Sequence, residues 1–333
     1  MPLKNRLLPV GTVEFDENTT KKLKIPRNNA IRRMIMKFFV TFVEGNTANP
    51  TEIEDTILKI IKRMKLIIDG DDAKFSSDAQ KWFYFEKYSK RTEPYTNKDS
   101  VLGQNASIKY EVTLTADFAI NKLDLSDISA LLPAKKYSQL ELEIEWGAVS
   151  DVFSANASGV TITDASSGCY VEILEVIDTD NPDDFATGKK TPFADIRQQI
   201  DSLSITTTYP NLEESALARD VKPVPNLVRS HLIALKNSSG VLTTANVSKF
   251  AIVNTVGAGE TLYRSETEAY ERMLKAELGL ESIDDGILFL DHVELQRGGI
   301  ANVGNEGDYK LKFLVAVGSG SIELLTEYVA GTA

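Results

Sequence analysis

The sequence predicts an all-β protein with a few short helices, built as two tandem eight-stranded antiparallel jelly rolls. Short runs of residues alternate between apolar and polar, and Gly, Pro, Asn and Asp separate these runs. The elements of the first half then recur in the same order in the second half. A period of two places all apolar side chains of a strand on one face, which is typical of antiparallel sheets with one buried face.

Four runs show the alternation most clearly. They are "RMIMKFFVTF" (33–42), "IKYEVTLTADF" (108–118), "QLELEIEW" (139–146) and "YKLKFLVAV" (309–317). In the third run Trp146 shares its face with Leu140, Leu142 and Ile144, while three glutamates occupy the other face. We therefore expect Trp146 to lie in the core between two sheets.

The segment "TEIEDTILKIIKRMK" (51–65) fits both a helix and a strand. Thr51 and Glu54 have the spacing of a helix-capping box, yet apolar residues also alternate from Ile60 onward. We predict a short turn or helical entry followed by a strand from about Ile60 to Ile68.

Two helices are predicted from capping signals. Ser77 caps a helix from Asp78 to about Lys90, and Ser265 with Glu268 forms a capping box for residues 266–278. Each helix follows an apolar strand and a turn, and each carries an aromatic residue five positions after its serine.

These two strand–turn–helix segments are the best-matched parts of an internal repeat. Before each of them, a proline precedes an apolar strand that carries arginine, and a closing strand ends each half. A repeat of this length indicates two domains of one fold. We expect domains at 1–178 and 195–333, joined by an acidic, proline-containing linker at 179–194.

Composition excludes several classes of protein. Hydrophobic residues make up 42% and charged residues 26%, which is typical of a globular protein with a core. No apolar run reaches the roughly 18 residues of a membrane span, and the first residues do not form a secretory signal. A single cysteine, Cys169, excludes an intrachain disulfide and a cysteine-rich zinc site.

Charge is divided unevenly along the chain. Residues 1–100 carry a net charge of +5, whereas residues 101–333 carry −16, within a total of −11. Such asymmetry indicates that one end of the chain faces an anionic partner. Chance clustering of charges on solvated faces is the alternative.

No constellation of residues predicts catalysis, a cofactor or a metal. Only His231 and His292 are present, too few for a metal-centred cupin. The acidic turn "DGDDAKFSSDAQ" (69–80) lacks the residues of a calcium loop, and no phosphate-binding loop or nucleophile elbow occurs. We expect a protein that is not an enzyme, without a cofactor or a small-molecule substrate.

The paired segments "MKLIIDGDDAKFSSDAQKWFYF" and "KFAIVNTVGAGETLYRSETEAYERM", with the ordered strands around them, resemble the double jelly-roll major capsid proteins of the tectivirus and adenovirus lineage. The resemblance covers nearly the whole chain and is closest to the compact bacterial and archaeal members. It implies homotrimeric, pseudo-hexameric capsomers that form the icosahedral shell of a virion assembled in the host cytoplasm. The implied partners are neighbouring capsomers and a vertex (penton) protein.

The N-terminal arm "PLKNRLLPV" is both basic and apolar. The same resemblance implies that it lies at the base of the capsomer. Lys4 and Arg6 are therefore expected to face an internal lipid membrane or the genome.

Two other classes fit an all-β protein. A carbohydrate-binding or carbohydrate-processing β-sandwich would use Trp82 or Trp146 on an exposed face. A tail-fibre or adhesin protein would more often show much shorter repeats. The four aromatic residues from Trp82 to Phe85 are expected to anchor their helix to the sheet rather than to bind a ligand.

Overall fold

The computed structural model describes residues 3–45, 49–70, 72–120, 122, 127–128, 130–189, 196–205, 219–220, 227–254, 260–280, 283–291, 301–302, 309–315 and 319–329. These residues form antiparallel sheets with a few short helices, as predicted. The chain divides into two compact units, Met1–Ile196 and Arg197–Ala333.

The described strands of the first unit are, in chain order, β1 (Leu3–Glu14), β2 (Thr20–Lys24), β3 (Ala30–Glu44), β4 (Thr51–Glu52), β5 (Ile61–Ile68), β6 (Asp72–Ser77), β7 (Ser107–Asp117), β8 (Leu140–Trp146), β9 (Phe153–Ala155), β10 (Val160–Ile162) and β11 (Gly168–Asp178). Its helices are α1 (Thr56–Lys59), α2 (Ala79–Lys90), α3 (Val149–Val152) and α4 (Pro182–Ala186).

The strands of the first unit form two main sheets. One has the order β1-β11-β3-β7, with the short β10 also paired to β3, and the other has the order β2-β8-β5-β6. All pairs are antiparallel. Consecutive strands thus alternate between the two sheets over much of the unit, which is the arrangement of a jelly roll.

The second unit repeats this arrangement. Its elements are β12 (Ile196–Ile205), β13 (Arg219–Asp220), β14 (Leu227–Lys236), β15 (Val247–Asn254), β16 (Glu260–Glu266), α5 (Thr267–Leu278), β17 (Ile287–Asp291), β18 (Ala301–Asn302), β19 (Tyr309–Val315) and β20 (Gly320–Val329). The sheet orders are β12-β20-β14-β17, with β18 beside β14, and β13-β19-β15-β16. Each main strand therefore has a counterpart in the first unit, and the chain is a double jelly roll.

The predicted apolar faces form the core. Along β3, the side chains of Met34, Met36, Phe38, Val40 and Phe42 are at most 1% exposed. Phe39 and its neighbours on the other face of β3 are partly exposed. The alternation seen in the sequence therefore identifies the inner face of this strand correctly.

The same agreement extends to the other runs. Trp146 at the end of β8 is fully buried, and Phe313 and Val315 of β19 are buried in the second unit. The predicted core position Val317 lies outside the described residues.

The entry to β5 is short and helical, as expected. Helix α1 covers Thr56–Lys59, and β5 follows from Ile61 to Ile68. The predicted capping box at Thr51 and Glu54 does not form, because Thr51 lies in β4, which pairs with β9.

Both longer helices begin one residue later than predicted. Ser77 and Ser265 remain in strands, paired with Met64 and Phe250. Asp78 is the N-cap of α2 instead, and its Oδ1 accepts a hydrogen bond of 2.8 Å from the backbone N–H of Lys81. Strand pairing therefore outweighs the capping preference of serine at these positions.

The predicted linker starts with a packed segment. Phe185 of α4 is 1% exposed and lies in an apolar cluster with Ala30, Leu131 and Val176 of the first unit. The limits proposed for the linker and for the two domains stay a prediction.

Replacing Trp146 with alanine should destabilise the first unit by about 3–5 kcal/mol, because the cavity cannot fully collapse. The indole ring lies 5.2 Å from Phe15 and 5.9 Å from Phe38, centroid to centroid, and its Nε1 donates to the Glu14 carbonyl at 3.0 Å. Urea unfolding measures the change. Val241→Ala, at a residue 46% exposed, is the control and should change stability by less than about 0.5 kcal/mol. Equal effects of the two changes would contradict the core position.

Candidate functional site

The four consecutive aromatic residues of α2 are buried within the chain. Trp82, Phe83, Tyr84 and Phe85 are each at most 3% exposed. The Trp82 Nε1 donates a hydrogen bond of 3.0 Å to the carbonyl of Thr115 in β7. These residues anchor α2 to the sheet, which confirms their expected role and leaves no aromatic platform here for a ligand.

Asp55 joins three segments around α2. Its carboxylate accepts hydrogen bonds from Gln80 Nε2 at 2.9 Å and Tyr84 Oη at 2.7 Å, and it lies 3.2 Å from Lys98 Nζ. Burial lowers the pKa of Lys98, but Asp55 and Asp99 together outweigh this effect and the net shift is upward. A buried charge with these partners stabilises the corner rather than reacting.

The helix anchor is present in both jelly rolls. In the second unit the Tyr270 hydroxyl of α5 donates to the carbonyl of Phe289 in β17 at 2.6 Å. Phe289 lies two residues before Asp291, just as Thr115 lies two residues before Asp117. Both helices are therefore attached to equivalent points of equivalent strands.

The aspartate at the end of β7 belongs to a buried cluster of charges. Arg32, which is 2% exposed, forms an ion pair with Asp117, and Arg33 Nη2 lies 2.6 Å from the same carboxylate. Nearby in the same sheet, Glu175 of β11 is fully buried and accepts hydrogen bonds of 2.5 and 2.8 Å from Arg6 of β1. We call these five residues the first charged cluster.

The second unit contains the corresponding cluster. Arg229 is 2% exposed, and its guanidinium lies 2.9 Å from Glu327 and 3.9 Å from Asp291. Gln198 of β12 donates to Glu327 at 3.3 Å, as Arg6 does to Glu175. We call these four residues the second charged cluster.

Both arginines occupy the same irregularity of the sheet. The pairing of β3 with β11 skips Arg32, and the pairing of β14 with β20 skips Arg229. A bulge places one extra residue in a strand and redirects its side chain. In each unit the bulge directs an arginine to an aspartate at the end of the neighbouring strand.

The predicted N-terminal arm is a strand. Residues from Leu3 to Glu14 pair along β11, with Lys4 opposite Ile177 and Arg6 opposite Glu175. The pairing shows that this segment is the edge of a sheet and not a free arm. The expectation that Lys4 and Arg6 face a membrane or the genome stays a prediction.

Much of the positive charge at the start of the chain has a carboxylate partner within the chain. Besides the first charged cluster, Lys21 Nζ lies 2.6 Å from Asp16 and Lys22 Nζ lies 3.3 Å from Glu143. The net charge of +5 in residues 1–100 is therefore a poor guide to surface potential. It overstates the attraction of this region for an anionic partner.

The titratable residues singled out by the sequence also have structural partners. His231 is fully buried in β14, with its Nδ1 2.9 Å from Thr326 Oγ1, and His292 lies outside the described residues. In the acidic turn, hydrogen bonds from Ser138 and Gln139 hold the pKa of Asp69 below its usual value. Within the described residues, no three His, Cys, Asp or Glu side chains are grouped to hold a metal ion.

Two open depressions lie on the surface of the first unit. One, of about 690 Å³, is lined by Asp16, Glu17 and Phe153 among others, and one of about 550 Å³ is lined by Lys24, Arg27 and neighbours. Asp16 pairs with Lys21, and Arg27 donates to the Tyr137 carbonyl. The described helices include none long and apolar enough to cross a membrane.

The sequence reasoning missed both charged clusters, although the sequence contains a signal for them. Glu175 follows Val171 and Ile173 on the inner face of the closing strand, and Glu327 follows Leu325 in the second closing strand. Alternation predicts an apolar residue at both places. A buried acid beside the bulge of the closing-strand pair in both halves predicts a buried cation nearby.

Comparisons with known proteins agree with the double jelly-roll fold. The chain is similar to the MCP of STIV, with 14% identity over 99% of this chain and 97% of that chain and a TM-score of 0.76. It is also similar to an atomic structure of Sulfolobus Turreted Icosahedral Virus (15% identity, 98% and 91% coverage, TM-score 0.74) and to the major capsid protein P2 from Bacteriophage PM2 (10%, 99% and 98%, 0.58). Sequence comparison matches this chain to no family model and to no curated protein.

Replacing Arg229 with methionine should destabilise the second unit by about 3–5 kcal/mol, because Glu327 would remain buried without its cation. Urea unfolding followed by circular dichroism measures the change. Adding Glu327→Met should recover part of the loss, since the pair is then removed together.

Arg63→Met is the matched control, at a side chain 45% exposed, and should have an effect below about 1 kcal/mol. An Arg229 variant as stable as this control would show that the second charged cluster contributes nothing to stability.

Proposed function

We propose that this chain is the major capsid protein of an icosahedral virus and that it assembles into homotrimeric, pseudo-hexameric capsomers. The observation that carries the proposal is the extent of the similarity, which covers 99% of this chain and 97% of the STIV MCP. Single jelly rolls have many functions, so one such domain would say little. Two jelly rolls in tandem, matched together to capsid proteins, narrow the function to shell formation.

The duplicated unit gives a geometric reason for the trimer. Each chain holds two jelly rolls of the same strand order. Three chains therefore supply six similar domains, which can surround an axis with a nearly hexagonal outline. Such capsomers tile the faces of an icosahedral shell, where their partners are neighbouring capsomers and a penton protein at the vertices. The protein would function in the virion after assembly in the host cytoplasm.

The described residues favour a function that depends on shape rather than on chemistry. Several of the most deeply buried charged side chains, among them Glu175, Glu327 and Arg229, belong to the charged clusters, which link strands of one sheet. The carbohydrate alternative needs exposed aromatic rings on which sugars can stack. Trp82 and Trp146 are 3% and 0% exposed, so neither tryptophan is available. We therefore place the protein among structural proteins and not among enzymes.

The start of β1 is the part of the first unit that best fits an internal lipid membrane. Lys4 is exposed, and Leu3 and Leu7 are 39% and 53% exposed although they are apolar. Basic and apolar side chains together bind an anionic lipid surface. Because Arg6 is held by Glu175, Lys4 would supply most of the charge in this contact.

The purified protein should be a trimer. Light scattering coupled to size exclusion should give three times the chain mass of 36.7 kDa at micromolar concentration, because a permanent interface buries well over roughly 2,000 Å². Negative-stain images should show particles of hexagonal outline. A stable monomer under these conditions would count against the capsid proposal.

Lys4→Glu should weaken sedimentation with anionic liposomes by about 5- to 30-fold at low salt, since each nearby basic residue contributes about 1 kcal/mol. Lys109→Glu makes the same charge change at a residue 52% exposed and should have little effect. If the wild-type protein does not bind liposomes but binds DNA, and Lys4→Glu weakens the DNA binding, the contact is with the genome. An equal loss of liposome binding in Lys4→Glu and Lys109→Glu would exclude a specific contact at β1.

A further inference from the structure

The equivalent helices α2 and α5 differ greatly in exposure. In α2 the only side chains that are not buried belong to Lys81 and Lys90. In α5 the buried residues are Thr267, Tyr270 and Leu274 alone. The two helices have the same anchor to the sheet, so the difference arises on their outer faces.

Segments of its own chain cover α2. Segment 91–106, which follows the helix, starts with a hydrogen bond of 3.2 Å from the Thr92 N–H to the Lys87 carbonyl, and Glu93 lies 3.6 Å from Lys87 Nζ. Asp55 contacts the helix from the α1 side, and the Lys122 ammonium lies 4.1 Å from the centroid of the Phe85 ring. An aromatic helix is thus enclosed on all sides.

The second unit has shorter connections around α5. Residues 279–286 link α5 to β17, where the first unit uses segment 91–106. Residues 237–246 link β14 to β15 and contain no helix, whereas the corresponding connection in the first unit contains α1. As a result, α5 leaves an exposed outer face with Ala269, Arg272, Lys275 and Ala276.

Segment 91–106 presents exposed apolar and aromatic side chains that could pack against an uncovered helix face. Val101 and Tyr95 are 73% and 61% exposed, the two highest values among the large apolar and aromatic side chains of the described chain. The Tyr95 hydroxyl contacts Glu111 at 3.3 Å, but its ring remains open to solvent. Two such exposed side chains on one short segment make that segment a candidate interaction surface.

The charges of the two surfaces are also complementary. The exposed charged side chains of segment 91–106 are acidic, with Glu93 50% and Asp99 90% exposed. The middle of α5 offers Arg272, which is 81% exposed, and the exposed Lys275. The exposed acidic residues of α5, Glu268 and Glu277, lie near its two ends. Glu268 lies 3.5 Å from Arg272, so Lys275 is the basic residue of the helix that makes no ion pair among the described residues.

We propose that segment 91–106 of one copy covers the outer face of α5 in the next copy of this chain. The inference rests on the proposed trimer and adds the surfaces through which its subunits meet. A closed ring of three needs two different patches on every copy, because each subunit contacts its neighbours head to tail. Segment 91–106 and α5 lie in different jelly rolls, so each copy carries one of each. Three such contacts close the ring.

Cysteine cross-linking tests the contact directly. Val101→Cys with Ala276→Cys should form disulfides between copies in the purified trimer, giving covalent dimers and trimers on a non-reducing gel. The native Cys169 is buried and does not compete. Val241→Cys with Ala276→Cys is the matched control, since Val241 is also exposed (46%), and it should give no cross-linked species.

A charge exchange provides an independent readout. Asp99→Lys or Lys275→Asp alone should move the midpoint of trimer formation to an about 3- to 10-fold higher protein concentration, and the double exchange should restore it. Circular dichroism of each variant establishes that the chain is folded.

The outcomes separate this inference from the proposed function. A wild-type protein that is monomeric would contradict both. A wild-type trimer whose Val101→Cys/Ala276→Cys variant forms no intermolecular disulfide, or whose charge exchange restores nothing, would overturn the α5 contact and leave the trimer standing.

Discussion

A buried arginine at a strand bulge is the interaction on which each jelly roll depends. Arg32 holds Asp117 at the end of β7, and Arg229 holds Glu327 and lies near Asp291 in the second unit. Each contact fixes the edge strand to the middle of its sheet. Two residues before the aspartate, a carbonyl of the same strand accepts the hydrogen bond that anchors α2 or α5. One series of contacts therefore positions the bulge, the edge of the sheet and the helix. A cluster that loses one partner leaves a buried charge uncompensated.

The two units keep this arrangement while they change what surrounds it. Gln198 replaces Arg6, and Ser230 replaces Arg33, so the second cluster uses fewer charges for the same purpose. The surrounding loops differ more: the first unit encloses its helix, and the second leaves its helix exposed. Two copies of one fold with different flanks can contact each other in only some combinations. For the proposed trimer, this difference favours a closed assembly of defined size over open-ended association.

In the proposed shell, the core would supply stability and the flanks would supply specific contacts. Aromatic and aliphatic side chains are concentrated between the sheets, where Trp146 packs against Phe15 and Phe38. The similarity to capsid proteins persists at 14% identity because alternation and strand order tolerate exchange of one apolar residue for another. In the proposed assembly, the flanks need to fit only copies of the same chain, so they need not resemble those of a distant relative.

The sequence by itself determined the strands, their inner faces and their order, because a period of two is a local property that any eight-residue window displays. Trp146 could be placed in the core from its neighbours alone, and the repeat could be found by comparing the halves. The tertiary structure decided what depends on distant partners. Ser77 lost its capping role because its strand extends to pair with Met64. Arg6 and Glu175 stand 169 positions apart, so the first ten residues looked like a free basic arm until the sheet brought the two together. Charge along a chain reports composition, whereas the field at a surface depends on which charges the fold has already paired.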